Sequence, residues 1–304
     1  MKKWQTFLIV LVLLIGLSLL LYPTVSDYWN SLRQSHAINK YMEGVARLDN
    51  ADVERMLREA EAYNQKLASG ESSFYPSAEE LAEYNRTLDV SGTGMMGYLE
   101  IPKIGVSLPI YHTVDDEVLK VGVGHIPGSS LPVGGASTHS VVSGHTGLPS
   151  ATLLTELDKI SEGDIFLVKV LNRTLTYQVD QIKKVLPEET SDLAIVPEQD
   201  YFTLVTCTPY GVNTHRLLVR GRRIPTEDVI NVSLGGDAMR VEPLQVIPFL
   251  AAPLLFLLFL LFMIFGGRSK KPVEPGITLE ELLQSEAAKS PAKDAPSAED
   301  PPDR

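Results

Sequence analysis

One cysteine, Cys207, serves a chain of 304 residues, so no disulfide can form within it and the usual staple of an extracellular domain is excluded. Any domain outside the cell must then rest on its hydrophobic core. Basic residues are outnumbered, 27 Lys and Arg against 38 Asp and Glu with a net charge of −11, which argues against a nucleic-acid partner. No internal repeat is present, which excludes a solenoid. No metal-ligand constellation is apparent either: Asp115, Asp116 and Glu117 read as a solvated helix start. Neither a metal nor an organic cofactor is expected.

What the chain does have is two long apolar runs. WQTFLIVLVLLIGLSLLLY (4–22) follows Lys2 and Lys3 and matches the ~20 residues that cross hydrocarbon. It ends in large residues without a small-x-small cleavage site, so an uncleaved anchor is expected over a secretory signal. VIPFLAAPLLFLLFLLFMIFGG (246–267) is a second candidate span, followed by Arg268, Lys270 and Lys271. The positive-inside rule puts both basic flanks in the cytoplasm and residues 23–245 outside. Residues 268–304 form an acidic cytoplasmic tail rich in Pro, Ala and Ser, expected to be disordered, with ITLEELLQ (277–284) able to form a short helix.

Residues 23–92 read as a helical extension. Apolar residues recur at three- and four-residue spacing through HAINKYMEGVARL and ADVERMLREAEAYNQKLAS, predicting two helices, and Ser77 is placed to cap a third through Tyr84. After Ser91-Gly92-Thr93-Gly94 the pattern turns to β-branched alternation, with strands expected over 96–102, 106–112, 139–145, 164–171, 175–185, 201–207 and 215–222. Many short strands with Gly/Pro turns predict a closed barrel or sandwich over 93–226, followed by a linker, 227–245. SATLLTELDKI (150–160) is expected to be one amphipathic helix with Ser150 as its N-cap.

Period-two alternation in YFTLVTC places Tyr201, Thr203, Val205 and Cys207 on one face, with the thiol at the strand's end. TPYGVNT then turns, and HRLLVRGR returns with Arg216, Leu218 and Arg220 on one face. A hairpin would set Cys207 beside Arg216. A cationic neighbour favours thiolate and can stabilise an oxyanion; the bland reading of a lone thiol is a buried, inert side chain. Acyl transfer would also need a proton shuttle. Of six histidines, His145 stands out by position, ending VVSGH and opening the loop TGLP, where a rigid scaffold presents catalytic groups. Residue reading alone leaves the other histidines open.

TLVTC with the downstream Arg216 in NTHRLLVRG, SGHTGLPSA with His145, and MGYLEIPKIGVSLPIYH together resemble a sortase over most of 95–225. The helical extension, the second apolar run, GVGHIPGSSLPVGG (122–135) and TCTPYGVNTHRLLVRGRRI are similar to the class C, pilin-polymerising branch. The resemblance implies a mainly β fold: an eight-stranded sortase-type barrel with an N-terminal helical extension and a transmembrane helix at each end. It implies a two-pass protein of the cell membrane, its catalytic domain on the outer face of a Gram-positive bacterium. It further implies cleavage of an LPxTG-like sorting signal between Thr and Gly. Cys207 would form the thioester, His145 would transfer protons, and Arg216 would position substrate or stabilise the oxyanion. The partners implied are LPxTG-bearing surface or pilin proteins and an acceptor amine, either a pilin lysine or, in a housekeeping enzyme, a cell-wall precursor.

Two departures bear on this. Class C enzymes often carry an Asp-Pro-aromatic lid, and GESSFYPSAEELAEYNRTLDVSG (70–92) has none; the groove is then either open or blocked in another manner by Phe74 or Tyr75, the bland reading being that these aromatics only hold the loop to the barrel. A surface protein that is itself a sorting substrate would also end in an apolar run and RSKK. MRVEPLQ, before that run, holds no LPxTG-like pentapeptide, which speaks against it. Leu218 is read either as an apolar wall for the signal or as core, Thr206 as support for the loop, and Arg220, Arg222 and Arg223 as surface charges.

Overall fold

The computed structural model describes residues 3–70 and 76–226, with four separate positions, 256, 280, 283 and 284. Apart from those four, the expected linker, second apolar run and tail lie outside the described residues, as do Phe74 and Tyr75.

Helix α1 (Lys3–Arg47) is continuous from the apolar run into the extension and carries Pro23 inside it, so the sequence boundary at residue 22 falls within one helix. It is the one helix among the described residues that is long and apolar enough to cross a membrane. Helix α2 (Asn50–Ala68) starts where Asp49 accepts from the Asp52 amide, and it buries Val53, Met56, Leu57, Ala60, Tyr63, Asn64 and Leu67, the stripe expected of an amphipathic helix. Asn64 fixes it to the barrel: its amide donates to the Leu131 carbonyl at 3.1 Å and its oxygen accepts from the Leu131 amide at 2.7 Å. Helix α3 (Ala78–Arg86) begins at Ser77, the expected cap, and the structure adds Glu80 as its partner in a capping box.

Eight strands close into one barrel: β1 (Met95–Ile101), β2 (Val106–His112), β3 (Val123–His125), β4 (Thr138–Ser143), β5 (Ile165–Val170), β6 (Arg173–Val185), β7 (Asp200–Thr208) and β8 (His215–Ile224), in the order β1-β2-β3-β4-β7-β8-β6-β5. Closure by β1 against β5 leaves no free sheet edge. Seven strands match the sequence expectation. The eighth, β3, is held by parallel pairing to β2 and antiparallel pairing to β4. Helix α4 (Asp116–Leu119) follows Asp115, where a helix start was expected.

The main core includes Leu99, Ile110, Phe166, Tyr177, Phe202 and Leu204, with Phe166, Tyr177 and Phe202 in mutual ring contact. On the opposite face of β7, Val205 joins Val141, Val185, Leu193 and Leu218 in a second, smaller cluster. That second face is the one that continues to Cys207.

The helix expected over 150–160 is a correction. Those residues form turns and a short 3-10 segment, Leu157–Lys159. Leu153 sits at φ 42°, which a right-handed helix excludes, and the backbone donors go elsewhere: Thr152 N–H to Asp27 and Leu154 N–H to the His145 carbonyl. The apolar spacing still reports burial, since Leu153, Leu154, Leu157 and Ile160 are all in the core. Arg220 and Arg223 also depart from plain surface charges. Arg220 makes two hydrogen bonds to Asp180, at 3.0 and 2.9 Å, and lies 4.2 Å from the Tyr201 ring centroid; Arg223 lies over Tyr177 at 5.7 Å.

Tyr84 ties α3 to the barrel. It is fully buried, and its hydroxyl lies 2.9 Å from His125 Nδ1, while His125 Nε2 lies 2.8 Å from the Ser130 carbonyl. Nε2–H donating and Nδ1 accepting describe a neutral ring, and burial pulls the His125 pKa down from 6.5 to about 3. In the unfolded chain this ring takes up a proton near pH 6.5; in the fold it does so only near pH 3. Its contribution is therefore complete above pH 6.5 and is lost as pH falls toward 3, by about 1.4 kcal/mol per pH unit. Burial lowers His139 as well, which adds in the same direction. Denaturant titrations at pH 7, 6 and 5 are expected to show falling stability, with a shallower fall in His125→Gln; unchanged stability across that range would contradict it.

Candidate active site

Strands β7 and β8 are an antiparallel pair whose register sets Cys207 directly opposite Arg216, with Val205 opposite Leu218 and Thr203 opposite Arg220. Side chains of opposed residues lie on the same face of a sheet, so thiol and guanidinium share one side, as strand parity predicts. Cys207 is a free cysteine and only half-buried. The inert, fully buried reading therefore does not fit it. Arg216 Nη1 donates to the carbonyls of Asn213 at 3.3 Å and His215 at 3.2 Å, which holds the guanidinium at the mouth of the β7–β8 turn.

On its other side β7 pairs in parallel with β4, ending at Ser143 opposite Val205. The Gly144 amide donates to the Val205 carbonyl at 3.0 Å, the bond that closes this last pair. Continuing that register brings His145 to the level of Cys207. Cys207 and Arg216 thus occupy adjacent positions on β7 and β8, and His145 follows two residues past the end of β4 at the same end of the sheet, neighbouring strands being about 4.8 Å apart. Thr206 supports this arrangement: its hydroxyl, buried between the strands, donates to the Gly144 carbonyl at 2.8 Å. A Cβ on Gly144 would fall 2.7 Å from Leu154 Cδ1, so any side chain there would force Leu154 to shift. Gly147, at φ +74°, lies under the ring of Tyr210, which a Cβ would approach to 2.9 Å. The β7–β8 turn and the loop after His145 therefore touch across the site.

The other histidines are accounted for. His112, His125 and His139 are buried, and each has both ring nitrogens within hydrogen-bond distance of partners: His112 with Gly94 and Thr87, His125 with Tyr84 and Ser130, His139 with Ala194 and Thr203. His139 pairs with Tyr201, six residues from Cys207 along β7, or about 20 Å at 3.3 Å each. His215 has opposite parity to Arg216 and bonds Thr214 at 2.9 Å. His36 is exposed on α1. His145, half-buried and beside the cysteine strand, is the imidazole available to it. Leu218 is only 4 % exposed and joins the second cluster with Val205 and Leu193, which makes it core beneath the thiol.

One contact had no signal in the sequence. Asp27 Oδ1 accepts from the Thr152 amide at 2.6 Å, and the Asn30 side chain donates to the Ser150 carbonyl at 2.7 Å. The first turns of α1 beyond the apolar run thus hold the loop that follows His145. Pairings between residues more than a hundred positions apart leave no local pattern to read.

A family model described as the sortase domain matches residues 99–224, from β1 to the last residue of β8. Sortase D of Bacillus subtilis (strain 168) is 28% identical over 180 residues, 58% of this chain and 86% of that protein. Among solved structures, sortase C1 from Streptococcus agalactiae is 49% identical with a TM-score of 0.61, covering 62% of this chain and 98% of that one. Sortase C of Streptococcus pneumoniae, described with regard to its pilin substrate specificity, is 43% identical with a TM-score of 0.56, over 62% and 97%.

Proposed function

Because this chain belongs to the sortase family of cysteine transpeptidases, we propose that it is a class C member that joins pilin subunits through a Cys207 thioester. The observation that carries this reading is the register that pairs Cys207 with Arg216, with β4 ending at Ser143, two residues before His145, against the same stretch of β7.

The thiol gives its proton to His145 as the sulfur attacks the Thr carbonyl of an LPxTG-like signal, and the carbonyl oxygen takes up the electron pair as an oxyanion. Arg216, a fixed cation on the same sheet face, binds that charge or the peptide that carries it. As the intermediate collapses, the Thr–Gly bond breaks and His145 gives its proton to the departing Gly amine. The acyl group remains on sulfur. His145 then removes a proton from a lysine amine of the next pilin, which attacks the thioester and regenerates the thiol. One amide is exchanged for another, so no nucleotide is consumed. The α1 anchor, a second span over 246–267 and an outward-facing barrel would place this chemistry on the cell surface, where both substrates arrive in the membrane.

The test is a reaction of the full chain with a pilin bearing both an LPxTG signal and an acceptor lysine. Covalent pilin ladders with Lys-linked isopeptides are expected. Attachment only to a cell-wall-type amine such as triglycine would move the reading to a housekeeping anchoring enzyme. In the same assay Arg216→Lys is expected to lower kcat by roughly 10²–10³, because an ammonium lacks the planar fork of a guanidinium. Activity within threefold of wild type would remove Arg216 from the chemistry.

A further inference from the structure

Just beyond its apolar run, α1 presents a face unlike the rest of this acidic chain. Trp29, Leu32, Arg33, His36 and Lys40 line a groove of ≈ 400 Å³ against Tyr111 and the turn before β1. Three basic-type side chains at spacings of three and four share one helix face, and no lining residue carries a carboxylate, although the chain's net charge is −11. The Arg33 guanidinium lies 5.8 Å from the centre of the Trp29 ring.

The position of this groove along α1 decides what can reach it. From Trp4 to Ser26 the sequence holds no charged residue, and ~30 Å of hydrocarbon needs about 20 of those positions. The bilayer edge then falls near Val25. Tyr22, Tyr28 and Trp29 are 57%, 41% and 58% exposed, an aromatic collar of the kind that sits at headgroup depth. Arg33 follows about 12 Å beyond Val25 at 1.5 Å per residue, but helical side chains lean toward the helix N-terminus, here toward the membrane. A long cationic side chain reaches back by several ångströms, to the level of lipid phosphates.

We propose that the membrane-proximal end of this groove is a binding site for the phosphate of an anionic lipid in the outer leaflet, held by Arg33 with Trp29 against the glycerol region; Lys40, about 22 Å beyond Val25 by the same rise, lies past the headgroups. The proposal rests on the reading of α1 as a membrane anchor. Its consequence reaches the active site: a lipid held on this face fixes the rotation of α1 about its axis. Asp27 and Asn30, on the same helix, hold the loop after His145, so that loop is kept at the bilayer surface, where a membrane-held substrate presents its signal.

The test uses the full chain reconstituted in vesicles of equal phosphatidylglycerol and phosphatidylcholine, then released in mild detergent for native mass spectrometry of retained lipid. Wild type is expected to keep phosphatidylglycerol preferentially. The exposed variant Arg33→Gln is expected to lose that preference by roughly fivefold, the contribution of one cation near an anionic surface. Lys2 and Lys3 are unchanged in the variant, so they do not produce the difference. Equal retention of the two lipids by wild type, or an unchanged preference in the variant, overturns the proposal. Displacement of the lipid by excess inorganic phosphate would also overturn it, assigning the groove to free anions. Alkaline carbonate extraction of the starting membranes separates the premise: a chain that washes off has no anchor, and then both readings fall together.

Discussion

A Cys207→Ala enzyme is expected to lose signal cleavage and transpeptidation by roughly 10⁴-fold or more, with its fold intact. The scale follows from nucleophile deletions in covalent enzymes, where no neighbouring group takes over bond formation. Here the sulfur is the chain's one thiol, and the side chain across from it, Arg216, is not a nucleophile. Cys207 is half-buried at the end of β7 and belongs to neither apolar cluster, so truncation leaves no core cavity and thermal unfolding should shift little. Single-turnover cleavage of a labelled LPxTG peptide measures the loss. Residual activity within tenfold of wild type would remove the thioester from the mechanism.

His145→Ala is expected to lower kcat by roughly 10²–10⁴ with little change in KM, because a positioned acid–base group acts on proton transfer more than on peptide binding. Two protons move in each cycle, one to the leaving Gly amine and one from the incoming lysine, so both half-reactions should slow. Hydroxylamine, whose amine is largely unprotonated at neutral pH, should recover part of the second half-reaction but none of the first. The comparison with His139→Ala is informative. His139 bonds Ala194 and Thr203, so that change is expected to lower stability while folded protein keeps its turnover. A His145→Ala enzyme with wild-type kcat would mean that another base serves the thiol.

The difference between what could be read in the sequence and what could not lies in how local each cause is. Strand parity in YFTLVTC and HRLLVRGR is a property of the strands themselves, so the pairing of Cys207 with Arg216 follows from the pattern and a turn of ordinary length. Ser77 caps α3 as its place before the helix predicts. Strand β3 is three residues, Val123–His125, with a glycine at its centre; its place between β2 and β4 is decided by pairing, which local propensity does not encode. Residues 150–160 show the same limit from the other side. Their apolar spacing marks the side chains that are buried, while the backbone follows hydrogen bonds to Asp27 and His145. His145 itself could be ranked above five other histidines by position alone. The resemblance names it, and the packing adds that His112, His125 and His139 are buried with their nitrogens engaged.

The measurement to make first is the intact mass of the full chain in detergent, mixed with an LPxTG-type peptide and quenched in acid. A mass increase equal to the peptide truncated after Thr, mapped to Cys207 and discharged by an added amine, is the predicted result. A Cys207 that a small thiol reagent alkylates but that never carries the acyl group, with any LPxTG variant, would contradict thioester transfer at this site.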